Sequence, residues 1–261
     1  VCNLKVFYMG PHFRGRVMKM IWTSKKNKRQ HPSIQSKNEQ NTNLFQDSID
    51  QITGDFTVDL ELVKQEIVDN SDVHVRELNL GRTGIRAAII FVEGLSDRDL
   101  IDKHLMKSLM LDFCEEFKLE TPHVKGTFSK EFIINQVLSI SEVKVVNHVK
   151  EMIAKVFTGS TALLIDGSPD AFILGTTKGK TRDINEPLTE ALVRGPRVGF
   201  TEALSDNTAL LRRSGENGNL TLTKFKVGKR EKKELVIAYM KEVTDLELVD
   251  EVIKRIKKID I

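Results

Sequence analysis

The sequence predicts an α/β (α+β) chain made of two α/β subdomains, with mixed or antiparallel sheets, joined by a hinge or linker. Three observations carry the prediction. Apolar runs of strand length recur at Ala87–Val92, TALLID, AFILG, LTLTKFKV and ELVIAYM. Segments with apolar residues at helical spacing lie between them. Both kinds of segment occur on either side of a polar stretch, KLETPHVKGTFSK, that holds Pro122 and Gly126 and few large apolar residues. The expected organisation is a basic, disordered tail over 1–42, a first subdomain over 43–118, a linker region over 119–142 and a second subdomain over 143–261.

In chain order, Leu44, Phe45, Ile49 and Ile52 share one helical face that Gly54 ends. A second helix turns Leu60, Val63, Ile67 and Val68 inward. Val73-His74-Val75-Arg76 starts a strand, and Gly81 and Gly84 bracket the turn into Ala87–Val92, which suits a sheet centre. Ser96-Asp97-Arg98-Asp99 reads as a capping box ahead of Leu100, Ile101, Leu105 and Leu109. Beyond the linker, Val145, Val149, Met152, Ile153 and Val156 repeat as one helix face up to Gly159. TALLID and AFILG flank Gly167-Ser168-Pro169-Asp170, a hairpin signal with a four-residue loop. LTLTKFKV and ELVIAYM follow as strands, the second apolar throughout and therefore central. Thr244-Asp245-Leu246-Glu247 caps a last helix with Val249, Val252, Ile253 and Ile256 on one face, led by acids and closed by Lys254, Arg255, Lys257 and Lys258.

Composition excludes several functions. At 261 residues and 40% hydrophobic the chain can bury a full core, and its net charge of +3 is misleading. Residues 1–42 carry nine Lys/Arg against one acid, so the remainder is net acidic. Runs such as KKNKRQHPSIQSKNEQNT bury too little to order themselves, and we expect a solvated tail rather than a nucleic-acid-binding arm. Cys2 and Cys114 read as free thiols, and the six histidines show no ligand-like pairing, so no metal or cofactor is expected. No stretch reaches the length of a membrane span. Gly175-Thr176-Thr177-Lys178-Gly179-Lys180-Thr181 imitates a phosphate loop with one residue too few between the glycines and no apolar helix after it; it reads as an exposed basic turn. No acid pair, Ser/His/Asp or Cys/His set assembles, and the chain reads as a non-enzyme.

The densest chemistry lies in EPLTEALVRGPRVGFTEALSDNTALLRR, residues 186–213. Pro187 suits the first turn of a helix, Leu188 and Leu192 face inward, and Glu190 can pair with Arg194. Gly195 is placed to leave that helix and Pro196 prevents its continuation. A second helix spans about 200–212, with Phe200, Ala203, Leu204, Asn207 and Leu211 on one stripe. Asn207 at a core-facing position must find partners, and Arg212 and Arg213 sit at a helix end that favours cations. Structurally, Arg194 and Arg197 would tie the two helices together through Glu186, Glu190 or Glu202. Functionally, they would present an anion site near the second helix N-terminus.

Glu186-Pro187, Glu190, Arg194-Gly195-Pro196-Arg197, Gly199-Phe200, Glu202, Asn207, Leu210 and Arg212-Arg213 together resemble the signature of GerA-type spore germinant receptor A subunits. The GSTALLIDG segment, Leu220, Val227-Gly228, Tyr239 and Arg255-Ile256 extend the resemblance over about 44–261; Ser214 departs from it, standing where a third basic residue is expected. The resemblance implies a hydrophilic N-terminal domain attached to the spore inner membrane through C-terminal segments absent from this chain. It also implies a transporter-like B subunit and a lipoprotein C subunit as partners, and nutrient-triggered germination as the output. The expected role is that of a signalling domain working through subunit contacts or interlobe movement. The rival expectation is a module that binds an amino acid or sugar directly in the interlobe cleft.

Overall fold

The structure, a computed structural model, describes the backbone of residues 5–8 and residues 50–113, 130–179, 200–214, 219–229 and 232–259. Contacts divide the chain into a larger unit, His31–Val68 with Val73–Lys178, and a smaller unit, Val1–Gln30 with Asp69–Asp72 and Gly179–Ile261. This differs from the expected division. The chain passes between the units at 30/31, 68/69, 72/73 and 178/179, none of them within 119–142, and four residues from the expected first subdomain belong to the smaller unit.

The larger unit is a five-stranded sheet in the order β2-β3-β5-β6-β4. Its strands are β2 (Val73–Asn79), β3 (Arg86–Val92), β4 (Val143–Val146), β5 (Thr161–Ile165) and β6 (Ala171–Leu174). Every pairing is antiparallel. The sequence leaves mixed and antiparallel sheets open; hairpin-length connections at 81–84 and 167–170 favour the second. Because side chains alternate along a strand, Ala87, Ile89, Leu163, Ile165, Phe172 and Leu174 face one way. They pack with two helical runs, α2 (98–113) and α3 (130–137). The opposite face, with Ala88, Ile90, Ala162 and Leu164, packs under α1 (Phe56–Glu66) and α4 (Val149–Phe157).

Local detail corrects several expectations. Gln51 bridges to His148 and the Ile52 amide donates to Asn147, so the described end of the helix expected over 44–52 is extended; residues 44–49 lie outside the described residues. Val68 is exposed, because α1 ends at Glu66 before it can turn inward. Asp97, not Ser96, caps α2, accepting from the Leu100 amide at 3.1 Å. Ser96 is buried and donates to the Gly159 carbonyl at 2.9 Å. Gly159 holds φ +102, and a β-carbon there would lie 3.0 Å from the Thr177 methyl.

In α2, Ile101, Leu105, Leu109 and Phe113 are all buried, an even spacing of four. The backbone is wound wide to match it: the Met106 amide donates to Ile101 and the Phe113 amide to Ser108. Residues 130–140, expected within the linker, contribute Phe132, Ile133, Val137, Leu138 and Ile140 to the core. Phe132 meets Phe113 edge-on at 6.2 Å. KEFIINQV has the apolar spacing of a helix, and the Pro/Gly signal at 122 and 126 does not extend to it. Val145 lies on β4, not on the face of α4.

The smaller unit is a three-stranded antiparallel sheet in the order β1-β8-β7, built from β1 (Lys5–Tyr8), β7 (Leu220–Val227) and β8 (Lys233–Met240). As expected from its unbroken apolar run, β8 is central. The strand at 5–8, within the stretch expected to be disordered, pairs Lys5 with Ala238 through Tyr8 with Leu235. KVFY is the β-prone part of that stretch; the polar run that motivated the disorder reading starts later. Leu235, Ile237 and Tyr239 face α6 (Leu246–Ile256), while Val236 and Ala238 face α5 (Leu204–Ser214) and Phe200. Asp245 caps α6, accepting from the Glu247 amide.

Candidate functional site

Of the sequence-predicted residues, Glu186, Pro187, Glu190, Arg194, Gly195, Pro196 and Arg197 lie outside the described residues. The remaining five sit on or just before α5. Phe200 is half-buried against Leu220, Leu222, Val236 and Ala238, which anchors the entry to the helix. Glu202 is exposed. Asn207 is buried, and its side chain brackets one residue: Oδ1 accepts from the Thr201 amide at 2.7 Å while Nδ2 donates to the Thr201 carbonyl at 2.8 Å. A polar residue on the core stripe thus satisfies itself by holding the incoming backbone, as a buried amide must.

Arg212, in the last turn of α5, is the one arginine or lysine buried among the described residues. Its side chain is 2% exposed and that of Asp72 is 8% exposed. The guanidinium grips the Asp72 carboxylate along one edge, Nε to Oδ2 and Nη2 to Oδ1, the latter at 2.7 Å. Nη2 also donates to Asn70 Oδ1 at 2.8 Å, and Nη1 to the Leu220 carbonyl at 3.2 Å. This side-on fork is the geometry in which arginine differs from lysine. Arg212 therefore does not stand open as a helix-end cation for an external anion. Arg213 is half-buried, and the Ser214 hydroxyl donates back to the Leu210 carbonyl at 2.8 Å.

The four residues Asp69-Asn70-Ser71-Asp72 form a strap along β7, the sheet edge. The Ser71 amide donates to the Leu222 carbonyl at 2.9 Å, and the Lys224 amide donates to Ser71 Oγ at 3.0 Å. Asn70 Oδ1 accepts from the Leu222 amide at 3.4 Å, and Thr223 Oγ1 donates to the Asp69 carbonyl at 3.2 Å. At the start of the strap, Lys241 pairs with Asp69 at 3.0 Å. Burial, and after it the Asp69 carboxylate, pushes the nearby Tyr239 hydroxyl above its ordinary pKa. Sequence reasoning misses Asp69, Asn70 and Asp72, which lie in a short polar run, DNSD. Nothing local in it signals a partner 140 positions away.

Where it is described, the phosphate-loop look-alike is exposed at Thr177, Lys178 and Gly179, as a basic turn should be, but not at Thr176. Thr176 is buried and shares a 2.7 Å hydrogen bond with Thr161, Thr177 bridges to Ser96, and a β-carbon on Gly175 would meet Glu142 at 2.7 Å. Among the described residues no group of three or more His, Cys, Asp or Glu is placed to hold a metal ion. No helix among them is long and apolar enough to cross a membrane.

Comparison with known proteins gives a consistent picture. The family model described as Bacillus/Clostridium GerA spore germination protein matches residues 61–261. The chain is 31% identical to Spore germination protein KA of Bacillus subtilis (strain 168) over 199 residues, 76% of this chain and 35% of that protein. It is 34% identical over 190 residues to Stage V sporulation protein AF of the same organism, 73% of this chain and 36% of that protein. The chain thus spans about a third of the length of these relatives. A crystal structure of the N-terminal domain of the A subunit of the Bacillus megaterium spore germinant receptor GerK3 matches with a TM-score of 0.64 at 20% identity. The match covers 81% of this chain and 74% of that one, and the two share a fold.

Proposed function

Because the chain belongs to the Bacillus/Clostridium GerA spore germination protein family, we propose that it is a signalling domain of a germinant receptor A subunit. It acts in the receptor complex at the spore inner membrane and helps trigger germination without catalysing a reaction. Its partners are the transporter-like B subunit and the lipoprotein C subunit, and its output is a change in subunit contacts or in the arrangement of its two units.

The observation that carries this reading is the family match over 61–261, together with the use made of the signature residues that are described. Asn207 and Arg212 spend their polar groups on the fold's own backbone and side chains rather than on a solvent-facing site. Such residues build a framework that transmits; they do not make a reaction centre.

The test uses spores carrying the whole receptor. Arg194→Ala and Glu190→Ala are each expected to abolish the nutrient-triggered response while immunoblotting shows normal receptor level. A normal response at normal level overturns the role given to the signature. Titration calorimetry of this chain with amino acids and sugars at millimolar concentration is expected to show no heat; saturable heat would replace signalling with direct ligand binding.

A further inference from the structure

We propose that the Asp69–Asp72 strap and Arg212 form a releasable latch, which opens as a unit and uncovers the edge of β7 while the sheet behind it stays folded. The inference rests first on what the strap covers. In the order β1-β8-β7, strand β7 is an edge and would otherwise present unpaired backbone groups. The Leu220 carbonyl, the Leu222 amide and carbonyl and the Lys224 amide all point away from β8, and each is met by the strap or by Arg212. Only one of these bonds, from the Ser71 amide, is backbone to backbone. The side chains of Asn70, Ser71 and Arg212 supply the others, imitating a neighbouring strand without being one.

What the strap is made of matters as much. Asp, Asn, Ser and Asp contain no apolar side chain, so the segment withdraws none of its own from the core when it lifts. The fork to Asp72 is strongly directional, yet an ion pair taken out of water contributes little net stability, because both charges regain hydration on release. Specific geometry and a small gap between two states are the attributes of a two-state element. The residues on both sides of the strap, up to Val68 and from Val73, belong to the larger unit. A pull on either crossing is therefore passed along the chain to these bonds. On the signalling reading, this is the step by which the chain of the larger unit alters the sheet edge of the smaller.

Hydrogen exchange on the whole chain tests the latch. Arg212→Lys keeps the charge and loses the fork; Asn70→Ala removes one acceptor shared by Arg212 and the Leu222 amide and leaves the ion pair in place. Both variants are expected to speed exchange at the Ser71, Leu222 and Lys224 amides, by about a hundredfold for Arg212→Lys, while Lys233–Met240 changes less than about threefold. Unchanged exchange at those three amides in both variants overturns the proposal. So does a loss of protection shared equally by β8, which would make Arg212 an ordinary core residue. In spores, Arg212→Lys is expected to shift the nutrient concentration that gives a half-maximal response. Local opening with an unshifted response would sink the link to signalling and leave the latch standing, so the two failures are distinguishable.

Discussion

The two units bury a carboxylate in opposite ways. In the larger, Asp59 on α1 accepts from the Thr53 amide and hydroxyl and the Gly54 amide at 2.8–2.9 Å, partners five or six residues away. In the smaller, Asp72 is held by Arg212 from 140 residues away. The first arrangement forms as soon as its helix does and shapes one turn. The second forms only when distant segments have met, and it reports on the state of a whole sheet edge. Local polar burial builds an element; long-range polar burial can register whether elements are assembled.

That contrast can be broken most directly at Arg212. Arg212→Met leaves Asp72 without its counter-charge and is expected to destabilise the smaller unit by about 3 kcal/mol, the low end for such a loss because the strap can lift Asp72 back into water. The measurement is the denaturation midpoint followed by exchange at β7. Asp59→Ala strips acceptors from two backbone amides and one hydroxyl in the larger unit, and should cost about 2 kcal/mol in the same assay. If Asp59→Ala also loosens the β7 amides, the two carboxylates are not independent and the comparison falls.

Asp97→Ala removes a single cap and is expected to cost about 1 kcal/mol, seen as faster exchange in the first turn of α2 alone. The smallest effect concerns alkali. The folded-state pKa of Tyr239 is raised, so its contribution to stability is complete below the ordinary tyrosine range and is lost as pH rises through the folded value. Tyr239→Phe should remove that part of the alkaline decline in the midpoint; identical curves for both proteins would show that burial and Asp69 do not act on this hydroxyl.

Much of the fold is legible because its signals are local. The β5–β6 hairpin follows from a turn sequence between apolar runs, β8 from the six apolar residues Leu235–Met240, and α6 from a cap, a stripe and a charge gradient. Elements are misjudged where two local signals compete. Ser96 and Asp97 both suit a cap, and only the fold shows that Ser96 is needed by Gly159. The four-residue spacing in α2 is visible in the sequence, but over so few turns it also fits ordinary helical winding. In the 119–142 region the sequence signal for a turn rests on Pro122 and Gly126, outside the described residues, and does not reach the helix starting at Lys130. Asn207 announces itself as a polar residue on an apolar stripe that requires partners, though not which ones. The link from Arg212 to Asp72 announces nothing, since no periodicity or motif spans the distance between them.

The smaller unit is discontinuous in the sequence, and this constrains inheritance as well as motion. A recombination breakpoint near residue 178 would look like a clean boundary, yet it would bring Arg212 from one parent and Asn70 and Asp72 from another. Chimeras between relatives should therefore work as cassettes only when the short loop after α1 travels with the C-terminal segment. A gene fragment starting at 179 would likewise encode a sheet that has lost β1 on one side and the cover of β7 on the other.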